Sequence, residues 1–302
     1  MSWAKYKRLS SSKDLSIFRR GTTASDGGGG GGGNDPDAQA YIDALDAAGY
    51  TVSAFQETAI NDLVLGLKAE NIYSINWSGY TPGAGVAIID ALYPYIGSAS
   101  SPCGINLADP RDLNAAYRAT FVGGWTFGLS GAQPNGINGY HRTYLTDALL
   151  SATTERWFGL GSATDANPGA WVDGGKGTSQ ITRMQTRSGG SARLELYSNQ
   201  VTSVVSDSLG NHLGYRTPTG GGIKLRKNGS LIIDTTSSTG GLSIATEYLV
   251  GATNNTDSAV ISPFFYSGRL FSYWVFGRNY ITDAQSISFQ SLMDAFNTAL
   301  GR

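Results

Sequence analysis

The chain is poor in the side chains that most chemistry needs. Cys103 is the single cysteine in 302 residues, and His141 and His212 are the two histidines. One thiol excludes an internal disulfide framework. One thiol and two imidazoles cannot assemble a zinc-type ligand set, so no metal and no cofactor is expected. Charged residues make up 15% of the chain, well below the usual ~25%. No apolar run approaches the ~20 residues that a bilayer-spanning helix requires. The basic N-terminus has no apolar stretch behind it, so neither an export leader nor membrane insertion is expected.

Catalytic signatures are also missing. Retaining glycoside hydrolysis needs two carboxyl groups about 5 Å apart, and no Glu-x-Asp-x-Glu or similar pair lies along a predicted strand; Glu155 and Glu195 stand alone in their segments. The run Gly128-Leu129-Ser130-Gly131-Ala132 lacks the final glycine of a hydrolase elbow, and there is no phosphate-cradling glycine loop. His141 and His212 have no evident nucleophile partner, which favours structural roles. No catalytic residue is assigned, and the chain is expected not to be an enzyme.

Glycine is abundant, at 41 of 302 residues, about twice the usual ~7%. With many Ser, Thr and Asn residues and little charge, this composition favours a β-rich, loop-rich protein. A net charge of −1 hides an asymmetry: residues 1–20 hold six basic side chains against Asp14, leaving the remainder with an excess of six acidic ones. A short basic leader on an acidic body reads as an interaction arm. Seven consecutive glycines, 27–33, follow it. They suit a flexible linker or, with external support, close packing of backbones.

Asp35-Pro36-Asp37 opens a helix, with Asp35 as cap and Pro36 at the first helical position. Ser53 and Gln56 form a capping box for a second helix reaching about residue 70. Residues 86–93 are predicted as a third, short helix ended by Pro94, and 77–85 as an inserted loop. From residue 98 the periodicity moves towards two. Strands are predicted at 117–122, 141–145, 155–160, 180–186, 192–197, 202–206, 223–227, 230–234, 248–252 and 269–276. Asn228-Gly229 signals a type I′ hairpin that sets Leu225 opposite Ile232. Thr282 and Gln285 start a C-terminal helix with an apolar stripe. The expected organisation is an extended basic arm (1–26), an oligoglycine linker (27–34), a helical region (35–97) and a strand-rich part with a C-terminal helix (98–302).

The stretch 106–144, NLADPRDLNAAYRATFVGGWTFGLSGAQPNGINGYHRTY, is the pivot between the helical and the β parts. Its NLADPRDLNAAYRATFVGGWT and GAQPNGINGY segments, with the ending ITDAQSISFQSLMDAFNTALGR, resemble structural proteins of tailed-bacteriophage virions, of the fibre, spike or surface type. The KNGSL hairpin resembles one common in laminin-G-like sandwiches. The resemblance implies a mainly β fold, an antiparallel concanavalin A-like sandwich of the lectin and laminin-G kind. It also implies a location in the virion after assembly in the host cytoplasm, and it carries no catalytic motif.

On that reading Lys5, Lys7, Arg8, Phe18, Arg19 and Arg20 are candidate anchors to other virion proteins: capsid, portal or collar, or baseplate. A homotrimer is expected by analogy with fibres, and no nucleic-acid partner is expected. A host-surface glycan is the candidate ligand. Asn167, Trp171 and Asp173 are the candidate contacts, because a ring face suits a sugar's C–H surface while amides and carboxylates meet its hydroxyls; the preferred alternative is that Trp171 packs beneath its loop as core. Asn254, Asn255 and Asp257 offer oxygens in a pattern too generic to assign calcium. The rival readings are a monomeric carbohydrate-binding module and a polysaccharide depolymerase.

Overall fold

The computed structural model describes residues 33–78, 86–146, 155–165, 173–176, 181–196, 199–218, 221–236, 246–255 and 261–302. The chain divides into two units, Met1–Gly33 and Asn34–Arg302, and all the described elements belong to the second.

Helix α1 (Pro36–Ala47) starts as its sequence dictates: Asp35 accepts the Asp37 backbone hydrogen at 3.0 Å, and Pro36 supplies a preset φ at the first turn. Helix α2 (Ala54–Ala69) has the Ser53/Gln56 capping box. Strands β1 (Ile72–Tyr73) and β2 (Ala87–Tyr93) follow. The helix expected over 86–93 is therefore a strand. All seven residues of β2 are buried, and a strand covered on both faces gives a continuous apolar run indistinguishable from a short buried helix. Because β2 pairs with a C-terminal strand, residues on either side of position 97 share one sheet.

After the short α3 (Ser100–Cys103) come β3 (Thr120–Val122), β4 (Trp125–Gly128), β5 (Gly131–Pro134), β6 (Tyr140–Arg142), β7 (Arg156–Ser162), β8 (Asp173–Lys176), β9 (Ile181–Ser188), β10 (Ser191–Leu196) and β11 (Asn199–Val204). They are followed by β12 (Gly210–Arg216), β13 (Ile223–Lys227), β14 (Ser230–Asp234), β15 (Leu249–Val250), β16 (Thr253–Asn255), β17 (Pro263–Phe264), β18 (Phe271–Arg278) and α4 (Asp283–Ala299). The first sheet runs β1-β2-β18-β7-β12-β13-β14, with β5 joined to β18 and β4 to β5. The second runs β11-β10-β9-β8-β15-β6-β3, with β16 and β17 attached. Pairing is antiparallel throughout the described strands except β1 with β2 and β16 with β8.

The two sheets enclose one core, including Phe158, Leu160, Met184, Leu194, Leu225, Trp274 and Phe276. The fold is mainly β, as the sequence pattern predicts, and a two-sheet sandwich, as the resemblance implies. A second core forms where α1, α2 and α4 cover the outer face of the first sheet, setting Leu63, Leu67, Phe289 and Met293 with Trp157, Tyr215 and Val275. Burying each large apolar side chain contributes roughly 1.5–3 kcal/mol, so the helical layer is a major source of stability. Gly277 makes room for this layer, since a Cβ there would collide with the Trp157 ring.

Asn228 and Gly229 both have positive φ (50° and 76°), as the type I′ turn requires. The register is one residue from expectation: Leu225 faces Ile233, because the pairing shifts between Leu225 and Arg226. That bulge turns Ile233 inward and leaves Ile232 half-buried.

Candidate functional site, a pocket beside an aromatic corner

Asn106 organises the site. It is 1% exposed, and its side-chain amide is fully used. Its Oδ1 accepts the backbone hydrogens of Leu92 (2.9 Å) and Ala108 (3.0 Å), and its Nδ2 donates to the carbonyls of Asp90 and Ala116, each at 3.0 Å. The loop 104–119 is thereby sewn to the end of β2. The Ala119 backbone hydrogen closes the loop on the Gly104 carbonyl at 2.9 Å. The Tyr93 hydroxyl donates to the Tyr117 carbonyl at 2.5 Å. Tyr117 holds a left-handed φ of 56°, an unfavourable conformation for a tyrosine that persists only where the surroundings over-determine it.

Between this loop and α3 lies an open pocket of about 370 Å3. Ser100 and Ser101 line one part, Asp112, Leu113 and Asn114 another, and Arg118, Ala119, Thr120 and Phe121 lead from it into β3. Leu113 is 41% exposed. The Arg118 side chain is 13% exposed and donates from Nε to Asp112 Oδ1 at 2.7 Å and from Nη2 to Ser101 Oγ at 3.3 Å. Its Nη1 is buried over Gly104. Gly104 has φ of −85°, which any residue adopts; the glycine is needed because a Cβ would occupy the space of the guanidinium.

Phe121 belongs to both the pocket and an aromatic corner where the two sheets meet. Its ring stands edge-on to Trp125 (4.9 Å, 75°) and to Phe127 (4.8 Å, 85°). Trp125 and Phe127, two apart on β4, have nearly parallel rings at 14° with centroids 6.2 Å apart. The Trp125 indole hydrogen is shared by the carbonyls of Val122 (3.2 Å) and Tyr140 (3.1 Å). All three rings are partly exposed. Behind them sits His141, fully buried, with Nε2 2.8 Å from the Tyr95 hydroxyl and Nδ1 3.3 Å from the Arg142 carbonyl. A carbonyl only accepts, so Nδ1 carries the proton and Nε2 accepts from Tyr95. Burial pushes the imidazole pKa down to about 3.

Comparison of the chain with solved structures finds matches of low similarity. Domain 4 of AbnA, a GH43 extracellular arabinanase from Geobacillus stearothermophilus in complex with arabinotriose, matches with 14% identity and a TM-score of 0.44, covering 68% of this chain and 98% of that one. The Ruminococcus gnavus IT-sialidase CBM40 bound to α2,3-sialyllactose matches with 14% identity and a TM-score of 0.34, covering 45% and 81%. Trypanosoma rangeli sialidase in complex with sialic acid matches with 11% identity and a TM-score of 0.46; it covers 78% of this chain, which spans 38% of the sialidase. No family model matches the chain, and neither does any curated protein.

Of the ligand contacts expected from sequence, Asn167 and Trp171 lie outside the described residues. Asp173 opens β8, where its backbone pairs with Met184 and Val250; its side chain lies outside the described set. The six anchor candidates, Lys5, Lys7, Arg8, Phe18, Arg19 and Arg20, also lie outside it. Asn254 is committed to the fold, with Oδ1 accepting the Ser262 backbone hydrogen at 2.9 Å and Nδ2 donating to the Glu247 carbonyl at 3.1 Å. Asp257 falls outside the described residues. Among the described residues, no cluster of three or more His, Cys, Asp or Glu side chains is placed to hold a metal ion.

The pocket residues were missed in sequence although they lie in or beside the pivotal stretch. Asp112 and Arg118 are six apart and read as ordinary turn charges. The alternation Trp125-Thr126-Phe127 was the available signal, since on a strand it sets two rings on one face.

Proposed function

We propose that the sandwich is a non-catalytic glycan-binding module of a bacteriophage virion structural protein, and that the pocket at the start of β3 is its contact site. The observation that carries the binding reading is the pocket's composition. The Phe121 ring and Leu113 supply apolar surface. Ser100, Ser101, Thr120 and Asn114 supply hydroxyl and amide groups, and Arg118 supplies a charged donor. A sugar presents the complement, C–H faces and hydroxyls. The site is built on a loop held by buried hydrogen bonds to a sheet, which keeps it preorganised and lowers the ordering cost of binding.

The virion assignment rests on the resemblance of 106–126 and the C-terminal segment to fibre, spike and surface proteins. In that setting the basic arm joins the particle, a homo-oligomer multiplies the sites, and avidity offsets weak single-site affinity. The direct test is retention of the full-length protein on immobilised host-surface polysaccharide. Wild type is retained, Thr120→Ala combined with Leu113→Ser is retained at least several-fold less, and no oligosaccharide is released. Equal retention of the variant would remove the pocket from the account, and release of oligosaccharide would make the protein a depolymerase.

A further inference from the structure

Resting on the glycan-binding reading, we infer that the pocket selects acidic saccharides, with Arg118 as the receptor for a sugar carboxylate and Asp112 as an internal stand-in that the ligand displaces.

Three observations converge on this arrangement. Arg118 is held before any ligand arrives: its side chain is 13% exposed, its Nη2 is tied to Ser101 Oγ at 3.3 Å, and its Nη1 is buried over Gly104. Its carboxylate partner is held much less firmly. The Asp112 side chain is 84% exposed, and its contact with Arg118 is a single Nε hydrogen bond of 2.7 Å. Asp112 is the exposed member of the pair, so another carboxylate can take its place on Arg118 without leaving the half-hidden guanidinium unpaired. Finally, the guanidinium is underused. It carries five N–H donors; the buried Nη1 is out of a ligand's reach, and on the Nε–Nη2 edge Nε donates to Asp112 while Nη2 gives one of its two hydrogens to Ser101. An incoming carboxylate that takes the Nε position gains a fork geometry that Asp112 does not use. The neighbouring Ser100, Thr120 and Asn114 then face the sugar's hydroxyls.

The test uses the full chain, titrated by NMR with three acidic oligosaccharides (glucuronate-, galacturonate- and N-acetylneuraminate-terminated) and with the methyl ester of each. The esters keep the sugar's shape and remove its charge. The expected result is that at least one acid shifts the resonances of 112–121 and binds at least tenfold more tightly than its ester. Arg118→Lys, which keeps the charge and loses the fork, should reduce that preference several-fold. Asp112→Asn, a change at an exposed side chain that leaves the fold intact, should strengthen binding of the acid several-fold. Esters that bind at this pocket as tightly as the acids would overturn the acidic selectivity and leave the glycan-binding reading standing. Absence of any shift at 112–121 with all six probes would overturn both. Weakening of acid binding by Asp112→Asn would show that Asp112 is a ligand contact and not a stand-in, and would also overturn the inference.

Discussion

The Asn106 side chain accepts the Leu92 backbone hydrogen at 2.9 Å and joins the end of β2 to the loop that carries Arg118. The same amide donates to the Ala116 carbonyl two residues before Arg118. Pocket geometry and sheet integrity therefore share one side chain. Asn106→Asp keeps the shape but replaces two donated hydrogen bonds with a carboxylate facing the Asp90 and Ala116 carbonyls. Leaving buried polar groups unpaired costs about 1–3 kcal/mol each. The expected outcome is a loss of roughly 2–5 kcal/mol in urea unfolding, and a change of under 1 kcal/mol would contradict this role for Asn106.

Gly104 and Arg118 form the second linked pair. A Cβ at position 104 would collide with Nη1 of Arg118 and stand 2.7 Å from the Ala119 carbonyl. Because φ at Gly104 is ordinary, Gly104→Ala carries no φ strain; its Cβ instead ejects the guanidinium and presses on the Ala119 carbonyl. Thermal melting should show a modest loss of stability, about 1–3 kcal/mol as for overpacking. Binding at the pocket should fall at least tenfold. Unchanged binding would mean that the position of Arg118 does not matter.

The pH dependence of stability follows from the buried imidazoles. Burial lowers both His141 and His212 to about 3 in the folded chain, while in the unfolded chain histidine titrates near its ordinary value of about 6.5. The unfolded state thus binds more protons between those values, so stability is greatest above 6.5 and declines as pH falls through the window. Asp90 acts in the opposite sense. Burial raises its pKa to about 7, so the folded state holds an extra proton between roughly the ordinary carboxylate value and 7, and stability gains as pH falls there. Two histidines outweigh one aspartate, and net destabilisation on acidification is expected. His141→Gln should flatten the dependence between pH 6 and 4 by about 1.4 kcal/mol per pH unit, measured as urea midpoints. An unchanged slope would show that His141 is not held neutral.

The basic arm carries a prediction of its own. If the proposed virion reading holds, replacing Lys7, Arg8, Arg19 and Arg20 with Glu should abolish incorporation into particles while the circular dichroism of the sandwich stays that of wild type. Normal incorporation would show that another part of the chain makes the attachment.

Legibility of the chain from sequence followed physical locality. The capping pairs Asp35 with Pro36, Ser53 with Gln56 and Thr282 with Gln285 act within three residues and marked all three long helices correctly. Asn228-Gly229 marked its hairpin for the same reason, but the register shift between Leu225 and Arg226 has no such local signal. Strand β2 was misread because burial on both faces erases the two-residue alternation. β4 and β5 were not anticipated; both are four residues long, and β5 finds its partner in β18 far along the chain. The pocket was hidden for a related reason. It is assembled from α3, the loop and β3 through Asn106, an asparagine with nothing in its sequence neighbourhood to show that it would become a buried hub.

The most direct test of the central claim is a crystal structure of the full chain soaked with the saccharide that it retains best. The account predicts density between α3 and the start of β3, with a sugar face near Phe121 and Leu113 and a polar contact to Arg118. Density on the outer face of the second sheet, with the pocket containing only water, would contradict it.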